Sequence, residues 1–314
     1  MKAWAKINLT LDVLGKRPDG YHELSSVMQA INLYDTLIIR KTNHQGIELK
    51  TNCPTLPTDE RNLVYKAAQF LFTEYDIKQG VFIELHKKIP IAAGLAGGSS
   101  DCAAALLGLK ALLKLDISQK NLFEIGHKLG ADVPFCLMIN NTDTHIKTEA
   151  SGNFSFSGTA LAEGIGENLK PLSPHPQAHI VLARLPVLVS TKEIFKRWSS
   201  ITTLSDDPWH KSQKKTSCMV EAIDTRDINV IAANLSNDLT LVATALYPEI
   251  AALTAAFWTQ NPLGVNMTGS GPTVFAYFPT KSTAFKAVEY IQQRFSNCNI
   301  FYTNPKKYSN RQKG

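Results

Sequence analysis

The chain has 314 residues, 44% of them hydrophobic and 19% charged, which allows two domains of roughly 100–200 residues and excludes long disorder. Its net charge of +6 is scattered until a basic tail after Pro305 and lacks interleaved aromatics, which argues against nucleic acid and suits phosphorylated metabolites. No apolar run approaches the ~20 residues of a membrane span, no targeting segment precedes Trp4, and the five scattered cysteines form no zinc or disulfide pattern, so a cytoplasmic protein without membrane partners is expected.

Residues 5–14 alternate: Ala5, Ile7, Leu9 and Leu11 share one face of a strand, and Lys6, Asn8, Thr10 and Asp12 the other. Pro18-Asp19-Gly20 signals a turn, and residues 37–41, 47–51 and 81–87 read as strands around a helix at 62–75. After Pro90 comes a glycine-rich loop, then a small-residue helix at about 100–113. A second helix, 118–129, ends at Gly130, where a left-handed cap is expected. The domain junction is expected inside the stretch 142–176, which is rich in Gly, Ser, Thr and Pro. Beyond it come a strand at 179–183, an irregular polar insertion at 199–217, and helices near 218–223, 227–233 and 248–260. A strand at 273–278 and a helix at 283–294 complete a mixed second half.

Three segments carry chemistry. In residues 90–109, PIAAGLAGGSSDCAAALLGL, Gly94, Gly97 and Gly98 permit a tight turn and close approach of a ligand to backbone. Ser99, Ser100 and Asp101 stand where the helix begins, so its open N–H groups and positive dipole end form a generic phosphate site. A plain serine-capped glycine turn would account equally well for the glycines alone. No Walker-type GxxxxGK[ST] string is present. In residues 5–24, Lys6 and Asn8 share a polar strand face, which physics alone assigns to solvent more readily than to catalysis. In residues 129–138, LGADVPFCLM, Asp132 opens an apolar run, where a carboxylate needs a cation, a capping duty or a functional reason.

The string P-x-x-x-G-L-x-G-G-S-S resembles the phosphate-loop signature of the GHMP kinases, and the resemblance extends over nearly the whole chain. It implies an α+β, two-domain GHMP kinase fold: a ribosomal-protein-like N-terminal domain (1–155), a ferredoxin-like C-terminal domain (156–305) and a basic tail (306–314). It implies ATP and Mg²⁺ as cosubstrate and cofactor. ATP-binding roles fall to Asn62, Pro90, Ala92, Ala93, Gly94, Leu95, Ala96, Gly97, Gly98, Ser99 and Ser100. In Ala5-Lys6-Ile7-Asn8-Leu9, followed by Gly15-Lys16-Arg17-Pro18-Asp19-Gly20-Tyr21-His22, the chain is similar to the branch of that family that phosphorylates a diphosphocytidyl-methylerythritol alcohol. That likeness makes Lys6 and Asp132 the catalytic pair. It makes Asn8, Tyr21, His22, Thr191, Phe195, Gly269 and Ser270 substrate-binding residues, with the Tyr21 and Phe195 rings sandwiching the cytosine. The metal ligands are left unassigned, and the choice between monomer and homodimer stays open. The rival readings are another GHMP kinase, of homoserine or mevalonate type, and a nucleotide-binding protein without catalysis. The first would lack the Pro-Asp-Gly-Tyr-His string, and the second is expected to have lost Lys6 or Asp132. No function attaches to the 199–217 insertion or the tail.

Overall fold

The structure is a computed structural model that describes residues 1–141, 146–148, 151–154, 157–202 and 215–306. Most of the 199–217 insertion, the boundary at 155/156 and residues 307–314 of the basic tail lie outside the described residues. Two compact units arise, each built from separated stretches: Met1–Ala5, Leu33–Ile91 and Ala96–Phe156 form the first, and Lys6–Asn32, Ala92–Leu95 and Ser157–Gly314 the second.

The alternating N-terminal segment becomes two strands, β1 (Lys2–Asn8) and β2 (Thr10–Lys16), followed by the long β3 (His22–Thr42). The expected solvated face is instead buried: Lys6, Asn8, Thr10 and Asp12 are all at most 4% exposed. Burying such groups is tolerable only when they are hydrogen-bonded, and residues far along the chain supply the partners.

In the first unit, β4 (Ile47–Thr51) runs parallel to β5 (Gly80–His86), which lies antiparallel to the second half of β3 with Thr36 opposite His86 and Thr42 opposite Gly80. Among the described residues four helices belong to this unit: α1 (Leu63–Glu74), α2 (Gly97–Leu113), α3 (Gln119–Leu129) and α4 (Val133–Asn140). Its core joins Leu37, Ile83 and Leu85 of the sheet to Val64, Leu71, Ala103, Leu106 and Leu137 of the helices. The alanines of α2 let that helix pack closely. Asn62 and Ser118 start α1 and α3 with side-chain caps. Gly130 is extended (φ 167°) rather than left-handed, because the chain passes directly into α4, with Val133 N–H donating to the Gly130 carbonyl. A short hairpin, β6 (Ile146–Thr148) with β7 (Ser151–Phe154), closes the unit.

In the second unit, the stretch read as a junction contains β8 (Thr159–Gly164) and β9 (Asn168–Pro171). β8 pairs antiparallel with β3, placing Val27 opposite Leu161. Next in the chain are β10 (His179–Arg184), α5 (Thr191–Thr202), α6 (Lys215–Thr225), α7 (Ile228–Ala233), β11 (Ser236–Asn237), α8 (Thr240–Leu246) and α9 (Pro248–Trp258). After them come β12 (Gly264–Met267), β13 (Thr273–Phe278), α10 (Lys281–Arg294) and β14 (Asn299–Thr303). Four of these strands form an antiparallel sheet in the order β12-β13-β10-β14. Val181, Val274 and Ala276 of that sheet share a core with Leu253 and Phe257 of α9 and Ala287 and Ile291 of α10. Among the described residues no single helix is long and apolar enough to cross a membrane. All five cysteines are free thiols.

Candidate active site

The loop between Pro90 and α2 owes its shape to three left-handed residues, Ala92 (φ 50°), Gly94 (φ 71°) and Ala96 (φ 56°). Alanine adopts this conformation at a cost of about 1–2 kcal/mol, so the surroundings hold the loop there. Ala93 and Leu95 point their side chains inward, at 3% and 1% exposure, which leaves them only backbone to offer. α2 then starts at Gly97 with no side-chain cap. Its first N–H groups, on Gly97, Gly98 and Ser99, have no partner within the helix and sit at the positive end of its dipole. A Cβ on Gly98 would meet nothing nearer than Leu63, at 3.7 Å, so that end is sterically open.

Ser100 departs from expectation. It is fully buried, its N–H donates to the Ala96 carbonyl at 2.8 Å, and its hydroxyl donates to the Trp4 carbonyl at 2.7 Å. Both donors are spent inside the first unit, so Ser100 props the loop rather than reaching from it. The amide of Asn140, at the end of α4, donates to the Ser100 carbonyl and accepts from Trp4 N–H. Asn62 is similarly engaged. Its side chain caps α1 through Val64 N–H and donates to the Pro57 carbonyl.

In the second unit, Lys6 donates to Asn8 Oδ1 at 2.7 Å. That oxygen also accepts Gly269 N–H at 3.0 Å, while Asn8 Nδ2 donates to Ser26 Oγ at 2.8 Å. Thr268 Oγ1 accepts Asn8 N–H and lies 3.1 Å from the Gly94 carbonyl. From the other side Asn237 Nδ2 donates to the carbonyls of Met267 and Gly269, each at 2.8 Å. Asn8, expected to contact substrate, is 1% exposed, and its amide serves as the hub that fixes Lys6 and Gly269. Asp12, the last polar residue of that face, on β2, holds the start of α6 by accepting Thr216 N–H at 2.9 Å. Burial raises the Asp12 carboxyl above the usual range against the opposing bonds from Thr216.

Asp132, in the first unit, occupies the N-cap position of α4, yet its carboxylate makes no capping bond there. It is half-buried.

The Pro18-Asp19-Gly20 signal is a real turn: Asp19 accepts Tyr21 N–H, and Arg17 N–H donates to the Tyr21 carbonyl at 2.7 Å. It delivers Tyr21 to the surface, 61% exposed, and turns His22 toward α5. The His22 ring stacks on Phe195 (centroids 4.9 Å apart), meets Trp198 edge-on at 5.9 Å, and places Nε2 2.6 Å from Ser199 Oγ. Burial, with a smaller push from Lys16, lowers the His22 pKa below that of free imidazole. Phe195 thus faces His22 here, with Tyr21 outside that stack. Thr191 and Ser270 are joined, their hydroxyls 2.8 Å apart.

Residues 62–139 match the family model of the GHMP kinases N-terminal domain, and residues 219–297 that of the GHMP kinases C-terminal domain. The 4-diphosphocytidyl-2-C-methyl-D-erythritol kinase of Lachnoclostridium phytofermentans is 42% identical over 91% of this chain and 90% of its own length. The protein of the same name from Caldicellulosiruptor bescii is 42% identical over 92% of each chain. The chain belongs to the GHMP kinases. As a GHMP kinase it is an ATP-dependent phosphotransferase with the family's α+β fold. The crystal structure of a 4-(cytidine 5'-diphospho)-2C-methyl-D-erythritol kinase matches with TM-score 0.74 and 29% identity, covering 98% of this chain and 100% of that one. A mevalonate kinase from L. major has the same TM-score of 0.74 at 13% identity, covering 98% of this chain and 96% of its own, and so shares the fold. Within this GHMP kinase, the sequence pattern missed Trp198, Ser199 and Asn140, because each owes its position to partners distant in the chain.

Proposed function

We propose that this GHMP kinase transfers the γ-phosphoryl group of ATP to the 2-hydroxyl of 4-diphosphocytidyl-2-C-methyl-D-erythritol, a step in non-mevalonate isoprenoid precursor synthesis. The carrying observation is the 42% identity, over nine-tenths of the chain, to kinases named for that substrate. The phosphates of ATP lie on the open N–H groups of Gly97, Gly98 and Ser99, an array of fixed dipoles at the charge being transferred. Asp132 accepts the hydroxyl proton as the oxygen attacks, and Lys6, held by Asn8, stabilises the developing negative charge. The cytidine end docks at Tyr21, His22 and Phe195, with Thr191 and Ser270 as further polar contacts.

Among the described residues no three His, Cys, Asp or Glu side chains gather as a metal site. That suits Mg²⁺, which is bound chiefly through substrate phosphates and its own waters, with the Ser99 hydroxyl as protein ligand. When bound, Mg²⁺ supplies charge neutralisation to the phosphates. The five free thiols suit a reducing cytoplasm.

The test is ATP turnover with a panel of acceptor alcohols: the diphosphocytidyl compound, mevalonate and homoserine. The cytidine compound should be preferred by kcat/KM. Better phosphorylation of mevalonate or homoserine would overturn the substrate assignment, and no turnover with any alcohol would overturn the mechanism.

A further inference from the structure

The first unit buries one ionic cluster at the two stems of the glycine loop. Lys87 follows the end of β5, its side chain is 8% exposed, and its ammonium lies 2.5 Å from Asp35 and 2.7 Å from Asp101. Asp35, fully buried in β3, uses its other oxygen to accept N–H groups from Lys88 and, at 2.8 Å, Ile89. Asp101 is 2% exposed in the second turn of α2. A Cβ built on Gly97 would lie 3.2 Å from the Lys87 ammonium, so the charge stands directly behind the first residue of that helix. Residues 88 and 89 lead into the loop and residues 97–101 lead out of it. One ammonium therefore fastens both stems.

The ammonium is flanked by two carboxyl groups, and each shifts the other's charge. Burial works against the charge on Lys87, but Asp101 and Asp35 more than offset it, and its pKa ends above the ordinary lysine value. Burial pushes the Asp101 carboxyl well above the usual range, with Lys87 pulling it back and Asp35 pushing it further. One ammonium balances one carboxylate. The buried Asp101 Oδ1 has no hydrogen-bond partner, so the Lys87 ammonium is the group that holds this carboxyl in place.

We propose that Lys87 is a positioning residue for ATP: with Asp35 and Asp101 it clamps both stems of the loop, so that the N–H groups of Gly97, Gly98 and Ser99 are in place before the nucleotide arrives. The proposal rests on the reading of those groups as the phosphate site. If the clamp is lost, backbone must be ordered at the binding step, and ordering a single residue weakens affinity by about 5- to 30-fold.

The experiment is calorimetry on Lys87→Met with a non-hydrolysable ATP analogue and, separately, with the diphosphocytidyl alcohol, alongside hydrogen exchange of residues 88–99. Analogue binding should weaken ~10-fold, binding of the alcohol should stay within about twofold, and exchange should quicken in 88–99 alone. KM for ATP should rise by more than kcat falls. Analogue affinity within about twofold of wild type, or equal weakening for both ligands, overturns the clamp. A separate failure, unchanged analogue affinity in Gly97→Val, would remove the phosphate reading itself. Should Lys87→Met not fold, Lys87→Gln/Asp101→Asn, uncharged and still able to hydrogen-bond, takes its place. The same changes in affinity and exchange then support or overturn the clamp.

Discussion

Replacing Gly94 with alanine should damage the fold and the nucleotide site together, and the size of the damage can be worked out from the backbone. Gly94 has φ 71°, and its Cβ would stand 2.3 Å from the Thr268 carbonyl oxygen and 3.3 Å from that of Gly271. The left-handed conformation costs alanine about 1–2 kcal/mol. Relieving the overlap requires backbone to move by several tenths of an ångström, comparable to an overpacked core at about 1–3 kcal/mol. Neither neighbour is free to yield: Thr268 is bonded to Asn8 and Gly94, and Asn237 grips the carbonyls on both sides of it. The sum is ~2–5 kcal/mol, or about 5–20 °C in Tm for a unit of this size. Gly98→Ala is the control, because its Cβ makes only an ordinary 3.7 Å contact with Leu63. That variant should melt near wild type and lose ATP affinity alone. Differential scanning calorimetry and KM for ATP on both proteins decide the matter. A Gly94→Ala protein melting within about one degree of wild type would refute the close approach of the loop to residues 268–271.

Asp132→Asn should lower turnover ~10²–10⁴-fold while the ATP analogue still binds; near-normal turnover in steady-state assays would remove Asp132 from the mechanism. If Lys6→Met and the double variant lose a similar factor, the two side chains act as one unit. Phe195→Ala should raise KM for the diphosphocytidyl alcohol about 5- to 150-fold with kcat little changed, and a KM shift that also appears with mevalonate would mark Phe195 as a packing residue. His175 bonds Tyr277 through Nε2, and burial lowers its pKa from 6.5 to about 4. The folded state therefore binds fewer protons than the unfolded chain between those values. The neutral ring's contribution is complete above pH 6.5 and is lost as pH falls toward 4, by at most roughly 3 kcal/mol. Urea titrations of His175→Gln should show a shallower decline across that window, and an unchanged decline would discard the assignment.

Local strings were easy to read where one stretch of chain carries the whole arrangement. The loop from Pro90 to Ser100 and the Pro18-Asp19-Gly20 turn are of this kind, since glycines and a serine-rich helix start act through their own backbone. The strand at 5–14 was legible as alternation, but not its double burial. Alternation says which residues share a face, and nothing about Ser26, Thr216 and Thr268 arriving to satisfy the polar one. α4 was missed because Val133–Asn140 is buried all round, so its apolar residues have no period to detect. α5 was legible in principle: Ile194, Phe195, Trp198 and Ile201 recur at helical spacing, and Ser190 accepts Glu193 N–H at the start of an S-x-x-E string. Lys87 is one lysine of an adjacent pair, Asp35 carries no local signal that would single it out, and Asp101 was legible only as part of the helix start.

The pairing of β3 with β8 bears on how this protein is made. Val27 leaves the ribosome early, while its partner Leu161 follows more than a hundred residues later, which at ~5–20 residues per second is a wait of about 7–27 seconds. During that interval the edge of β3 that β8 later covers has no strand to join, the condition in which nascent chains aggregate or recruit holdases. Slow codons placed before residue 159 should therefore lower soluble yield, whereas slow codons after residue 172, when β8 and β9 have both been translated, should leave it unchanged.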